Sequence, residues 1–410
     1  MTAKRFPTPT NGPLQNPRGY SQSTPHNRHG IISLWTAFIL AALGFASLLV
    51  VGLWLDSSRL LHARHAAESA TLAAAHSWLA DDLLKAQHAP FERDARILKA
   101  RQAAQEAVDL YNNQSTNLLI QPDDPECFWN PTPNPDPANT PQNPATNSEL
   151  TPLAVRVSIP NAIPNSAFGL SRLLPNQPLF AASTASIEHR PAALCPNPDC
   201  NLPFLPFALL DSPEAPGLWS KLIDNYAGPD FFAWIPERHQ FEPGSDGIPE
   251  INLNLSANST KLAENELTPL LLSPASHPQI IRDGLSLQSL TFLGLNELPF
   301  PSNFPATPLP TTLFDLCLKE LAAAPATPRI LPLARPLSLN TLSLIRPVAV
   351  RIIQINNQST NSPANSPTPS PTPSPTATLT LQPCILTSSL VRSNPTSPPN
   401  PYIYSVRLIE

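Results

Sequence analysis

The stretch IISLWTAFILAALGFASLLVVGLWL, residues 31–55, decides the architecture of this chain because it runs for 25 residues without one ionisable side chain. An α-helix of this length spans about 37 Å, more than the roughly 30 Å hydrocarbon core of a bilayer. The stretch therefore predicts one membrane-spanning helix. Trp35 and Trp54, near its two ends, fit the aromatic belts that lie at membrane–water interfaces.

The flanks of this stretch differ in charge. Residues 1–30 hold no acidic side chain and four basic ones, Lys4, Arg5, Arg18 and Arg28. By the positive-inside rule we expect residues 1–30 to be a basic cytoplasmic tail, with the remaining chain in the periplasm outside a bacterial inner membrane. Asp56 and Arg59 can pair on one helical turn where the chain re-enters water. The predicted membrane-boundary residues are thus Arg28, Trp35, Trp54, Asp56 and Arg59.

A cleaved secretory signal is the alternative interpretation of the same stretch. Such a signal usually has about 7–15 apolar residues and ends at a small-residue cleavage site. Here the apolar stretch is longer, and the Ala-rich sequence after it contains no Gly or Pro before Pro90, so it reads as continuing helix. A retained anchor is favoured. With cleavage, the chain would instead be a secreted or surface Pro-rich binding protein.

Composition limits the kind of structure that the chain can form beyond the anchor. Among its 410 residues the chain has 54 Pro and 12 Gly, and 13% of its residues are charged. Typical proteins have about 5% Pro, 7% Gly and 25% charged residues, so this chain is rich in Pro and poor in Gly and in charge. Its 41% hydrophobic residues are too many for a wholly disordered chain, so we expect packed domains with Pro-rich insertions. Beyond residue 30 there are 21 basic and 30 acidic side chains, a net charge of −9, which argues against a nucleic-acid partner.

Residues 56–120 predict a helical stalk, because they are rich in Ala and Leu and end in a second amphipathic pattern between residues 91 and 111. Small side chains recur along the first helix at spacings of three and four, which places them on one face. We expect this face either to pack closely against a helix of another envelope protein or to have no partner at all. The residues concerned are Ala63, Ala67, Ala70 and Ala74.

The rest of the chain predicts an α+β fold. Residues 121–151 are dense in Pro and Asn and predict a linker, and residues 152–410 predict a periplasmic α+β region with a low-complexity insertion at 356–378. Alternating apolar and polar residues predict strands with one wet face in LAVRVSI and FAASTASIEHR. Further strands are predicted in RPVAVRIIQI, LTLQPCIL and PYIYSVRLIE, with short helices near residues 219–226 and 312–323.

Few residues suggest chemistry. The sequence has no GxSxG elbow, HExxH motif, Gly-rich phosphate loop or paired CxxC, and it predicts no catalytic residue, cofactor or metal site. His62, His65 and Glu68 share part of a helical face, but we expect the histidines to lie at the headgroup boundary rather than to hold a metal. Cys195 and Cys200 enclose a Pro-Asn-Pro-Asp turn and form a candidate disulfide, with zinc binding as the weaker alternative.

The N-terminal region resembles the TadE/TadG-like proteins of bacterial tight-adherence (Flp) pilus assembly. Leu55-Asp56 closes the apolar stretch, Ser58-Arg59-Leu60 follows it, and residues 66–75 read AAESATLAAA. These three segments are similar, in the same order, to the end of the membrane span and the Ala-rich stretch after it in that family. Trp35 occupies the position after Gly30 at which type IV pilins carry Glu, which favours the uncleaved, TadG-like kind. The similarity covers about 50 residues.

This resemblance implies that the protein works by packing and not by catalysis. We expect a single-pass inner-membrane protein that acts as a structural or assembly component of a tight-adherence pilus or a related envelope machine. Its expected partners are the lipid bilayer and other pilus-assembly or envelope proteins, which the Ala-rich helix would contact.

Overall fold

The computed structural model describes residues 28–85, 93–112, 118–129, 151–160, 180–258, 263–272, 277–338, 340–358 and 375–409. The chain divides into two compact units. Among the described residues, those from 28 to 57 belong to the first unit and all the others belong to the second unit. The fold class is mixed α+β, as predicted, with a long apolar helix followed by a β-rich region.

The first helix is much longer than the others. A π-helical turn, Ser220–Asp224, lies between the third and fourth. The α-helices are α1 (Arg28–Trp78), α2 (Asp82–Lys85), α3 (Arg93–Asp109), α4 (His277–Asp283), α5 (Leu287–Phe292) and α6 (Thr311–Ala323). The predicted helices at residues 91–111, 219–226 and 312–323 therefore correspond to α3, to the π-helical turn and to α6.

The strands, in chain order, are β1 (Glu126–Phe128), β2 (Ala154–Ile159), β3 (Ala181–Glu188), β4 (Pro191–Leu194), β5 (Phe207–Leu210), β6 (Phe232–Ile235), β7 (Gln240–Pro243), β8 (Ile251–Ser256), β9 (Leu267–Pro269), β10 (Leu298–Pro299), β11 (Ser302–Pro305), β12 (Arg329–Ser338), β13 (Thr341–Gln358), β14 (Thr376–Pro383), β15 (Leu386–Thr387), β16 (Val391–Ser393) and β17 (Ile403–Ile409). They form a five-stranded sheet, a seven-stranded sheet, a three-stranded sheet and the β6–β7 hairpin. All of these lie in the second unit.

The first part of α1 is long and apolar enough to cross a membrane. Its most apolar window has a mean hydropathy of 2.5, and only 6% of that window is buried within the chain. Large side chains such as Trp35, Phe38, Leu43 and Trp54 are all more than half exposed. Exposing so many apolar side chains to water is unfavourable, and a hydrocarbon surrounding removes that cost.

The five-stranded sheet has the order β1-β2-β3-β17-β15. In β2 the side chains of Val155, Val157 and Ile159 are buried, whereas those of Arg156 and Ser158 are partly exposed. The predicted strand with one wet face is confirmed, and the alternation follows from the two-residue period of a strand. β17, the predicted terminal strand, pairs with β3 in antiparallel register, and both of its faces are buried up to Val406.

The seven-stranded sheet has the order β8-β14-β13-β12-β5-β9, with β11 also paired to β13. β13 contains the predicted strand RPVAVRIIQI, and β14 contains the first five residues of the predicted strand LTLQPCIL, which the structure ends at Pro383. The two strands pair in antiparallel register as far as Gln358 and Thr376. The predicted low-complexity insertion 356–378 therefore begins and ends inside these two strands. Its remaining part lies outside the described residues.

The segment predicted as a linker, residues 121–151, contains one described strand. Within the predicted linker 121–151, residues 126–128 form β1 at the edge of the five-stranded sheet, because the short run Glu-Cys-Phe is free of Pro. The buried carboxylate of Asp124 accepts hydrogen bonds from the backbone N–H groups of Ser158, at 2.7 Å, and of Gln121, at 3.3 Å. These contacts tie the segment to the β-rich region, and residues 130–150 lie outside the described chain.

Residues 58–112 belong to the same compact unit as the sheets instead of standing apart as a stalk. Thr71 Oγ1 donates a hydrogen bond of 3.3 Å to the carbonyl oxygen of Ser183 in β3. α3 runs back beside α1, since Tyr111 Oη lies 3.0 Å from Ser69 Oγ while Arg96 Nη1 donates a bond of 3.1 Å to the carbonyl oxygen of Trp78. The small side chains of α1 allow this close approach.

Candidate functional site

The predicted helix-packing face is placed inside the protein's own core. Ala63, Ala67, Ala70 and Ala74 are each 0% exposed and belong to the hydrophobic core of the second unit. The four small side chains lie on one enclosed face, as predicted from their spacing. Because the chain itself encloses this face, another protein cannot reach it without displacing part of the chain.

The predicted membrane-boundary residues all lie on α1. Trp35 and Trp54 are 61% and 68% exposed, and the Trp35 ring meets the ring of Phe38 edge-on with centroids 6.4 Å apart. Asp56 and Arg59 lie one turn apart where the first unit ends at Ser57. Arg28 is the first residue of the helix.

The candidate disulfide is not formed in the structure. Cys195 and Cys200 are both free thiols, although residues 197 and 200 form the expected tight turn with two backbone hydrogen bonds. Cys195 Sγ donates instead to Glu297 Oε2 at 3.4 Å, and Glu297 also pairs with Arg392. Burial, followed by the neighbouring Glu297, raises the pKa of the Cys195 thiol, which disfavours the reactive thiolate.

The histidines near the start of the second unit are engaged in local contacts. His62 Nε2 lies 2.9 Å from the carbonyl oxygen of Tyr111, and His65 Nδ1 lies 3.2 Å from Glu68 Oε2. The part of the chain that the structure describes contains no group of three or more His, Cys, Asp or Glu side chains placed to hold a metal ion.

A cavity of about 860 Å³ in the second unit is the candidate functional site. Its walls come from the turn between α1 and α2, from α2 and α3, from the β6–β7 hairpin and the segment after it, from the segment between α6 and β12, from β13, and from the segment between β14 and β15. It joins charged and apolar groups that are far apart in sequence. Its principal residues are Leu79, Asp81, Asp82, Lys85, Lys99, Trp234, Asp246, Pro325, Pro328, Arg351 and Ile385.

A buried ion pair forms one wall of this cavity. Arg351 Nη1 binds Asp81 Oδ2, and the two side chains are only 10% and 15% exposed. The Arg351 guanidinium also lies over the Trp234 ring, 4.4 Å from its centroid, in a cation–π contact. Asp81 Oδ1 accepts the backbone N–H of Ile385 at 2.7 Å, so this carboxylate connects the end of α1 to the segment between β14 and β15.

The other carboxylates of the cavity are also engaged. Asp82 pairs with Arg96 at 3.0 Å. Asp246 accepts backbone N–H groups of Trp234 at 3.1 Å and of Ile248 at 2.9 Å. Burial raises the pKa of Asp246, while these hydrogen bonds and the nearby Lys85 act in the opposite direction.

None of the charged residues of this cavity is predicted as a site residue from the sequence. Arg351 interrupts an otherwise apolar strand pattern, and Asp81-Asp82 comes directly after the Ala-rich helix, so both were visible as local irregularities. Their pairing was not, because Asp81 and Arg351 are 270 residues apart.

Comparison of the chain with protein-family models, with curated proteins and with solved structures finds no match.

Proposed function

We propose that this protein is a membrane-anchored, non-catalytic component that shapes or assembles a tight-adherence (Flp-type) pilus or a related envelope machine. The observation that carries the proposal is the two-part helix α1. Its first part presents large apolar side chains that the chain does not cover, and its second part is built into an α+β domain. A membrane anchor in the same chain as a folded domain keeps that domain at a membrane surface.

The proposed placement is a single pass through a bacterial inner membrane with the α+β domain in the periplasm. The basic residues before the apolar stretch, which lack acidic partners in sequence, support this orientation. The resemblance to TadE/TadG-like proteins over about 50 residues supports the assignment to pilus assembly.

A structural role also fits the chemistry of the described cavity. Its carboxylates are held by guanidinium groups or backbone N–H groups, and such fixed ion pairs suit a packing role better than proton transfer. We propose that contacts with other envelope proteins use the exposed surface of the domain, since the alanine face of α1 is covered.

Reporter fusions test the topology. A reporter that is active only in the periplasm, fused after Glu410, should be active, and a reporter that works only in the cytoplasm should be inactive. The reverse result would overturn the proposed orientation. N-terminal sequencing of the mature chain separates the retained anchor from the cleaved signal, because cleavage would remove residues 31–55.

Complementation tests the function. A strain that lacks the gene should lose pilus assembly and surface adhesion, and the full-length chain should restore both. A variant whose residues 1–57 are replaced by a cleavable signal should not restore them, whereas a control with an unrelated apolar span of equal length in place of residues 31–55 should. Full adhesion in the gene-deleted strain would contradict the assignment to pilus assembly.

A further inference from the structure

We propose that the cavity of about 860 Å³ binds a peptide segment that carries a carboxylate next to apolar residues. The carboxylate would lie between Lys85 and Lys99, and the apolar part would lie against Trp234 and the neighbouring prolines. This inference concerns the second unit alone and does not depend on the pilus assignment.

The size and walls of the cavity fit a few residues of peptide. Ligand sites usually enclose about 300–1,000 Å³ and combine apolar walls with a few placed polar groups. Here Leu79, Ile248 and Ile385 are buried, and Trp234 and Pro328 are partly exposed. The exposed parts of Trp234 and Pro328 are the apolar surface that a ligand with an apolar part would remove from water.

Charge selects the sign of the ligand. The three carboxylates that line the cavity, Asp81, Asp82 and Asp246, are each held by a guanidinium or by backbone N–H groups. Within the described ranges, Lys85 and Lys99 form no ion pair, although Lys85 is close enough to Asp246 to lower its pKa. The two ammonium groups are therefore available for charge-assisted hydrogen bonds to an anion.

Arg351 also lines the cavity, and its charge is balanced by Asp81. Its residue is 8% exposed, it binds Asp81 through Nη1, and its Nε has no hydrogen-bond partner among the described residues. Stacking on Trp234 holds the guanidinium in place, so this charge needs no reordering when a ligand enters. The preference of the cavity for an anion therefore rests on the ammonium groups of Lys85 and Lys99, which form no ion pair within the described ranges.

A peptide is favoured over a polyanion by the rest of the molecule. Beyond residue 30 the chain carries a net charge of −9, which repels nucleic acids and other polyphosphates. One carboxylate followed by apolar groups satisfies the lysines and the walls together. Both a Glu or Asp side chain and a peptide C-terminus supply this chemistry.

The test uses the full chain in lipid nanodiscs and isothermal titration with four probes. The first is acetyl-Ala-Pro-Leu-Glu amide, with a side-chain carboxylate, and the second is acetyl-Ala-Pro-Leu with a free C-terminus. The neutral control is acetyl-Ala-Pro-Leu-Gln amide, and the fourth probe is inorganic phosphate. We expect at least one carboxylate probe to bind ten-fold or more tightly than the neutral control, and the stronger of the two identifies the source of the carboxylate.

Variants connect that binding to the cavity. The double variant Lys85→Gln with Lys99→Gln should weaken the carboxylate probe at least ten-fold, and Lys319→Gln, an exposed lysine outside the cavity, should leave it unchanged. Circular dichroism of all three chains checks that they are folded. The proposal is overturned by equal binding of the neutral probe, by equally tight binding of phosphate, by no binding of either carboxylate probe at millimolar concentration, or by unchanged binding in the folded double variant.

Discussion

The two parts of α1 have the same secondary structure and opposite surroundings. Up to residue 57 the helix carries large side chains such as Leu43, 60% exposed, and beyond it carries small ones such as Ala67, 0% exposed. Large apolar side chains gain most from lipid, because each buries a large apolar area. Small side chains gain little by themselves but let backbones approach closely. The exposure of the apolar side chains therefore distinguishes the first part of the helix, which could cross a membrane, from the second part, which belongs to the core of the second unit.

The alanine face shows how much a sequence pattern leaves open. A stripe of alanines after a membrane span is consistent with a partner helix from another protein or with a sheet of the same chain. The pattern specifies only a close approach. The occupant is decided by β3 and α3, and β3 begins more than a hundred residues further along the chain.

The largest expected effect comes from enlarging that face. In the double variant Ala67→Leu with Ala70→Leu, each substitution adds three heavy atoms to a fully enclosed site, at a cost of about 3 kcal/mol each. Their sum, about 6 kcal/mol, is comparable to the whole stability of a domain. Urea unfolding of the full chain in micelles should show a domain that is largely unfolded in buffer alone.

The matched control is the double variant Ala41→Leu with Ala42→Leu, in the exposed first part of α1. It adds the same atoms where the chain does not enclose them, so the urea midpoint of the domain should remain that of wild type. If both double variants shift the midpoint equally, the contrast between the two parts of the helix is wrong.

Local sequence patterns predict the helices and strands of this fold far better than they predict which of these elements pack against each other. Val155, Val157 and Ile159 alternate with polar residues, and the period of two alone predicts β2 and its buried face. The candidate cavity depends instead on Asp81, Trp234 and Arg351, which come from three separate parts of the chain. Single-sequence patterns carry no information on which distant segments meet, so this cavity could not be predicted.

A smaller effect is expected from a charge in the first part of the helix. Leu43 lies at the centre of residues 31–55, and Leu43→Lys should raise the apparent free energy of membrane insertion by about 3 kcal/mol. A glycosylation-based insertion assay with the isolated segment measures this shift. Leu43→Ile should insert as wild type does. Unchanged insertion of the lysine variant would argue that this stretch does not insert as a membrane-spanning helix.

The smallest expected effect is a dependence of stability on pH, which should affect the folded domain and not the apolar first part of α1. His277 is buried at the start of α4, its ring stacks on Phe207 with centroids 6.1 Å apart, and its Nε2 has no hydrogen-bond partner among the described residues. Burial lowers the pKa of His277 below its ordinary value of 6.5. The folded state therefore binds a proton less readily than the unfolded state does. The contribution to stability is complete above about pH 6.5 and is lost as the pH falls below that value towards the folded-state pKa.

Acidification from pH 7.5 to 5.0 should accordingly lower the urea midpoint of the domain, and His277→Gln, which cannot be protonated, should reduce that dependence. Membrane association should not change over this range, because residues 31–55 contain no ionisable side chain. An identical pH profile in wild type and His277→Gln would show that this imidazole does not contribute to acid sensitivity. Release from the membrane at pH 5.0 would instead show that the first part of α1 does not hold the chain there by apolar contact alone.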